Sequence, residues 1–192
     1  MDIYFLRHGQ TVSPSVYTGV TDVALSAHGE SQIRSISAYL NNIVFDAAYC
    51  SPLIRCRTSF ELLELEIACS FVEDLREINF GRWESKTFSE IYCQDRATME
   101  QWFSQQEQFT FPEGDMISTF SNRIGNWLET LKTKQHEHVL VVSHSGVIRH
   151  ALAHLLGLGI NQADCFEITE GTVSLITVEK TFCILKLLNK NQ

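Results

Sequence analysis

The sequence predicts a layered α/β fold with a mostly parallel central sheet, and three observations carry that expectation. Val139–Val142 is a continuous run rich in β-branched residues, the pattern of a strand covered on both faces. Met116, Phe120, Ile124, Trp127 and Leu131 recur every three or four residues, a helical stripe just before that run. Short apolar runs and helical stripes alternate along the rest of the chain, as parallel strands with helical crossovers require.

In chain order, Ile3–Leu6 reads as a buried strand. Ser26 then precedes Ile33, Ile36 and Leu40, apolar at helical spacing. Asp46–Cys50 is the second strand. Ser51-Pro52 reads as an N-cap with proline at the first helical position, and Leu53, Cys56, Phe60 and Leu63 continue as one helical face. Ser70–Glu73 is a short strand. Residues 85–113 hold Trp102, Phe103 and many glutamines without a sustained period, and a helical cap over a site is expected at about 85–113. Gly114-Asp115 starts the long helix, with Asp115 as N-cap. Ser145 onward is helical again, with Val147, Ile148, Ala151, Leu152 and Leu155 apolar. Residues 172–178 and 181–188 read as a terminal hairpin. No repeat or long linker interrupts the 192 residues, so one domain over 1–192, with its cap, is expected.

The composition narrows the function. Hydrophobic residues at 44% suffice for a core, yet no apolar run approaches a membrane helix. Met1–Arg7 has neither the basic leader nor the apolar stretch of a signal peptide. The net charge of −8 and the lack of a Lys/Arg run argue against a nucleic-acid partner. The six cysteines form no Cys-x-x-Cys pair. They are expected to be reduced, small buried residues of a cytoplasmic protein.

A parallel sheet places ligands beyond the carboxyl ends of its strands. Those ends carry Arg7-His8-Gly9-Gln10-Thr11, Ser51-Pro52-Leu53-Ile54-Arg55, Leu75-Arg76-Glu77 and Ser143-His144-Ser145-Gly146. Two histidines, several arginines and a glutamate are the residue types that phosphoryl transfer uses. Arginine neutralises non-bridging oxygens through forked hydrogen bonds. A histidine nitrogen attacks phosphorus and holds the group covalently. A carboxyl group protonates the departing alkoxide. Gly9 lets backbone approach an anion closely.

Here the sequence resembles the histidine phosphatases, the phosphoglycerate mutase-like superfamily. Leu6–Thr11 is similar to its nucleophile motif, Ser51–Cys56 to its second arginine motif, Leu75–Glu84 to its acid motif and Val141–Gly146 to its second histidine motif. The four blocks stand in the family's order within residues 3–149. The resemblance implies a three-layer α/β/α fold and a phosphomonoesterase working through phosphohistidine. It implies His8 as nucleophile, Arg7, Arg55 and His144 as the phosphate pocket, and Glu77 as general acid and then base. Gly9, Gln10, Thr11 and Ser145 line the pocket, with Thr11 in support. The implied partner is a small phosphorylated substrate, with no cofactor and no metal. Within the family, Asn79–Glu84, Phe111–Ile124 and Val139–Val147 look most like the α-ribazole-5′-phosphate phosphatases of cobalamin biosynthesis. Trp102 and Phe103 could stack on such an aromatic substrate or pack in the core.

The sequence departs from the family where Gln10 replaces a usual Glu, Pro14 a usual phosphate-contacting Asn, and Ser59 a common Thr. Ser13 or Ser15 could substitute for the missing Asn. Rival readings are a mutase, a broad-specificity phosphatase and an inert binder of phosphorylated ligands. Chain length argues against the mutase, and the complete catalytic set against the binder. Glu73, Asp74 and Glu84 compete with Glu77, which is chosen for its place in the motif. Arg57 and Arg82 read as solvated, Trp83 as packing, and His28, His136 and His138 as surface residues. His150 and His154, four apart on a helix, read as incidental rather than as a metal pair.

Overall fold

The computed structural model describes residues 1–191. Its elements are β1 (Asp2–Arg7), α1 (Ala27–Leu40), β2 (Ala47–Cys50), α2 (Ile54–Glu61), β3 (Cys69–Phe71), α3 (Phe88–Gln94), α4 (Arg96–Gln105), α5 (Ile117–Lys132), β4 (His138–Ser143), α6 (Ser145–Leu155), β5 (Val173–Val178) and β6 (Cys183–Lys190). The strands form a single six-stranded sheet in the order β3-β2-β4-β1-β5-β6. The β3–β2, β2–β4 and β4–β1 pairs are parallel, while β1–β5 and the hairpin β5–β6 are antiparallel.

The strand period of two divides the core between the sheet's faces. Ile3 and Phe5 of β1 and Val139 and Val141 of β4 pack with Phe120, Ile124 and Leu128 of α5 and Val147, Ile148 and Leu152 of α6. Tyr4 and Leu6, with Leu140 and Val142, pack with Ile33, Ile36 and Leu40 of α1 and Cys56 of α2. The result is the expected three-layer α/β/α fold. Full burial of each such aliphatic side chain stabilises it by about 1.5–3 kcal/mol. A charge at Ile124, which is fully buried, would be left without a partner.

Ser26 caps α1 as read, its side chain accepting from Gly29 N at 3.1 Å. Two helix starts differ from the sequence reading. The helix after β2 begins at Ile54 rather than Pro52, and its N–H is bound at 2.7 Å by Asp22 from a distant loop. Asp115 does not cap α5, which begins at Ile117; its carboxylate instead accepts from Asn79 N at 3.0 Å. In both places a long-range partner replaces the local cap.

Residues 88–105 form the two helices α3 and α4, the first opened by a capping box of Thr87 and Glu90. Trp83 is buried as read, and its indole N–H also donates to Asp95 at 3.0 Å. His138 opens β4 and is only partly exposed, with its ring near Tyr4, so it is less of a surface residue than its sequence suggests. All six cysteines are free; Cys50 and Cys56 are buried, whereas Cys93 and Cys165 are exposed, unlike the buried residues expected. Among the described residues no helix is long and apolar enough to cross a membrane.

Candidate active site

The parallel strands deliver the four motifs to one edge of the sheet. Arg7 ends β1 and Ser143 ends β4, and the two pair in register, so His8 and His144 emerge side by side. Their rings meet edge to face, with centroids 5.1 Å apart. His8 is almost fully buried, and its Nδ1 lies 2.8 Å from the Gly9 carbonyl. That carbonyl can only accept, so Nδ1 carries the proton and Nε2 keeps its lone pair. Burial first, then the Arg55 and Arg7 guanidinium charges, push the His8 pKa well below the usual imidazole value. Neutral imidazole with a free Nε2 is the nucleophilic form.

Arg55 is completely buried. Its Nε donates to His144 Nδ1 at 3.1 Å, and its terminal nitrogens donate to the carbonyls of Thr21 and Gly19 at 3.0 and 2.6 Å. Five N–H groups minus these three bonds leave two for an anion. The loop that supplies those carbonyls is itself held by Glu84, whose carboxylate accepts from the backbone N–H of Gly19, Val20, Thr21 and Phe80. Glu84, a competitor for the acid role in sequence, is thereby tied up in holding the loop around Arg55.

Arg7 donates to the Ile168 carbonyl at 2.6 Å and to Glu170 at 3.2 Å. Its Nε is buried with no protein partner, a further donor for an anion. Gly9 serves close packing: a Cβ there would strike the Gly29 backbone of α1, and its N–H donates to Ser59 Oγ at 3.3 Å. Gln10 turns to the start of α1, accepting from Ser26 Oγ at 3.2 Å. Thr11 is buried and bridges to Leu25. Pro14 and Ser15 are exposed, and Ser13 is half-buried.

Glu77 is buried at the end of the acid motif. One oxygen accepts from Ile78 N and the other from Gly146 N, both at 3.0 Å. A Cβ at Gly146 would overlap Glu77 Oε1, so glycine is what lets α6 approach the carboxyl group. The strand-end loop before Glu77 is pinned by Ser143 Oγ on the Leu75 carbonyl and by Arg123 of α5, which donates to the carbonyls of Glu73, Asp74 and Arg76. Glu73 and Asp74 themselves are exposed.

Beside Glu77 opens a cleft of about 530 Å³, lined in part by Ser145, Tyr17, Phe80, Trp102, Phe103 and His150. Trp102 also packs on Trp83 and Phe111, with ring centroids 5.8 and 5.3 Å away, so one side chain both packs in the aromatic cluster and lines the cleft. Tyr17 was missed by sequence reasoning, because no motif or period marks it; Phe80 lies inside the acid motif with no role of its own read there, and His150 was read as incidental beside His154. His154 turns the other way, its Nε2 2.7 Å from Glu129, and does not pair with His150.

A nucleophilic imidazole, a buried carboxyl group and arginine N–H donors at one sheet edge can transfer a phosphoryl group without further chemistry from outside. Comparison with known proteins agrees. Residues 3–191 match the family model described as histidine phosphatase superfamily (branch 1). The adenosylcobalamin/alpha-ribazole phosphatase of Escherichia coli (strain K12) is 27% identical, covering 98% of this chain and 96% of that protein. Phosphoserine phosphatase 1 of Hydrogenobacter thermophilus is 26% identical, covering 97% and 91%. The crystal structure of the alpha-ribazole phosphatase from Shigella flexneri superposes with a TM-score of 0.93 at 26% identity, over 100% of this chain and 97% of that one. On sequence over its whole length and on fold, the chain belongs to the histidine phosphatase superfamily, branch 1, and is a phosphatase.

Proposed function

We propose that this phosphatase hydrolyses α-ribazole 5′-phosphate through a phosphohistidine on His8. The observation that carries the reading is the cleft beside Glu77: its aromatic lining suits a leaving group with a flat ring, and it opens where that group must depart. The full-length similarity to alpha-ribazole phosphatases supports the same choice.

In the first step His8 Nε2 attacks phosphorus in line, forming the N–P bond as the ester P–O bond breaks. Glu77 gives its proton to the departing 5′ oxygen. Arg7 Nε and the two remaining Arg55 N–H groups bind the non-bridging oxygens. His144 orients Arg55 through Nδ1, and its Nε2–H can be shared between Ser51 and a phosphoryl oxygen. The bond from His8 Nδ1–H to the Gly9 carbonyl disperses the charge that the ring gains. In the second step the Glu77 carboxylate takes a proton from water, the water oxygen attacks phosphorus, and the N–P electron pair returns to Nε2. Inorganic phosphate leaves, and Glu77 is again protonated. The helices α3 and α4 act as the cap of this site in a single domain. The six free cysteines support a reducing, cytoplasmic setting.

The test is a panel of esters with a rapid acid-free quench. Wild type should turn over α-ribazole 5′-phosphate with a higher kcat/KM than sugar phosphates or 3-phosphoglycerate, and labelled phosphate should be trapped in an acid-labile, base-stable form. His8→Ala should trap none and lose turnover. Wild-type-like activity in that variant, or a low rank for α-ribazole phosphate, counts against the mechanism or the substrate respectively.

A further inference from the structure

The cleft beside Glu77 holds polar groups that phosphoryl transfer leaves unused, and His150 is the most constrained of them. It lies on α6 four residues beyond Gly146, whose N–H binds Glu77, so about 6 Å along the helix separates the two positions. A pentose linking a 5′ ester oxygen to a ring at C1′ spans a comparable gap. The imidazole packs edge-on against Phe120, with centroids 5.2 Å apart.

The two ring nitrogens of His150 differ. Nδ1 is buried and has no hydrogen-bond partner, whereas Nε2 is not sealed off in this way. Burial holds the ring neutral, with its pKa lowered to about 4, so one nitrogen carries a proton and the other a lone pair near pH 7. An N–H sealed away without an acceptor forfeits its whole hydration, and such groups are rare in folded proteins. The proton therefore belongs on Nε2, where the cleft can supply an acceptor. Phe80, Trp102 and Phe103 line the same cleft with faces on which a planar ring can stack.

We infer that this cleft is a subsite for a planar nitrogen heterocycle, in which His150 Nε2–H donates to an unprotonated ring nitrogen of the leaving group. The inference rests on the α-ribazole reading above and sharpens it. A benzimidazole bonded to ribose through one nitrogen keeps the other as such an acceptor, whereas a sugar or an all-carbon ring offers none. His150 is then a specificity residue that touches the leaving group far from the bond being broken.

The experiment compares α-ribazole 5′-phosphate with its indole isostere, in which the acceptor nitrogen is replaced by C–H. The readout is the ratio of kcat/KM for the two esters, which cancels any general loss of activity. Wild type should favour the nitrogen compound by about tenfold or more, the worth of one enclosed hydrogen bond. His150→Phe should bring the ratio close to one, and His150→Gln, which keeps an N–H donor, should restore part of it. Equal use of both esters by wild type, or an undiminished preference in His150→Phe, overturns the inference while leaving α-ribazole phosphate as substrate. If wild type hydrolyses neither ester better than glycerol 3-phosphate, the substrate reading fails and this inference with it. The wild-type comparison needs no variant to fold.

Discussion

Ser51 Oγ lies 2.7 Å from His144 Nε2, and this bond settles the tautomer of the second histidine. Arg55 Nε–H already donates to Nδ1, so Nε2 must hold the proton and Ser51 must accept it. Burial, followed by the Arg55 charge, keeps the ring neutral. Ser51, His144 and Arg55 thus form one buried relay that aims the guanidinium.

Ser51→Ala removes the acceptor from a fully buried N–H; the Cys56 thiol, 3.5 Å away, is a weak replacement. The expected loss of stability is about 1–3 kcal/mol in urea unfolding. kcat/KM should fall for every ester by a similar factor, because in the proposed mechanism Arg55 binds the phosphoryl group and not the leaving group. A loss confined to one class of ester would place Ser51 in substrate recognition instead.

Gly146→Ala places a methyl group where Glu77 Oε1 now sits. The displaced acid should matter most for poor leaving groups. kcat for an alkyl phosphate should drop by about 10²-fold or more, the usual worth of a positioned general acid. With p-nitrophenyl phosphate, whose leaving group departs unprotonated, phosphorylation should persist while hydrolysis lags. A burst of nitrophenol and accumulated phosphoenzyme would report it. Equal loss at both steps for both esters would mean that Glu77 had not been the group disturbed.

The parts of this molecule legible in sequence are those whose physics is local. β1, β4 and α5 carry apolar residues at their own periods, and Ser26 bonds three residues ahead. The helix starts at Pro52 and Asp115 were misplaced because both capping candidates answer distant partners: Ser51 binds His144, and Asp115 binds Asn79. In the site, His8, Arg55, Glu77 and His144 stood out because each follows a strand, and parallel pairing brings strand ends together. Glu84 and Glu77 could not be separated by residue type; only the fold shows that Glu84 accepts four backbone N–H groups. The cleft joins residues around 17, 80, 102 and 150, which have no common pattern in the chain. His150 therefore stood out only for its spacing from His154, and read as incidental.

Trp102 stands between the cleft and an aromatic cluster with Tyr17, Trp83 and Phe111. Trp102→Ala should lower kcat/KM for α-ribazole phosphate several-fold more than for a small ester, since a stacked ring contributes on the order of 1 kcal/mol beyond its buried area. Trp102→Phe, which keeps a ring, should lie between. Identical losses on both substrates would assign the indole to packing alone.

The pH dependence of stability offers a measurement that needs no substrate. His150 has its pKa lowered from 6.5 to about 4 by burial, with Asp164 opposing the change and Arg149 adding to it. Glu77 and Glu107 also face the cleft. Above pH 6.5 the ring is neutral folded and unfolded, and contributes no pH dependence. Between 6.5 and about 4 the unfolded chain binds a proton that the folded chain refuses, so stability falls as pH falls. His8 and His144 act in the same direction. Phenylalanine at 150 cannot be protonated in either state, so His150→Phe should lose less stability than wild type between pH 7 and 4. The difference should reach on the order of 2–3 kcal/mol by pH 4, since a tenfold difference in proton affinity between the folded and unfolded chain is worth about 1.4 kcal/mol. Every other ionisable group is common to both proteins and largely cancels in the comparison. Urea unfolding at steps of pH gives the two curves directly. Parallel curves would mean that the imidazole takes up a proton in the folded protein as readily as in the unfolded chain, so that burial does not hold it neutral.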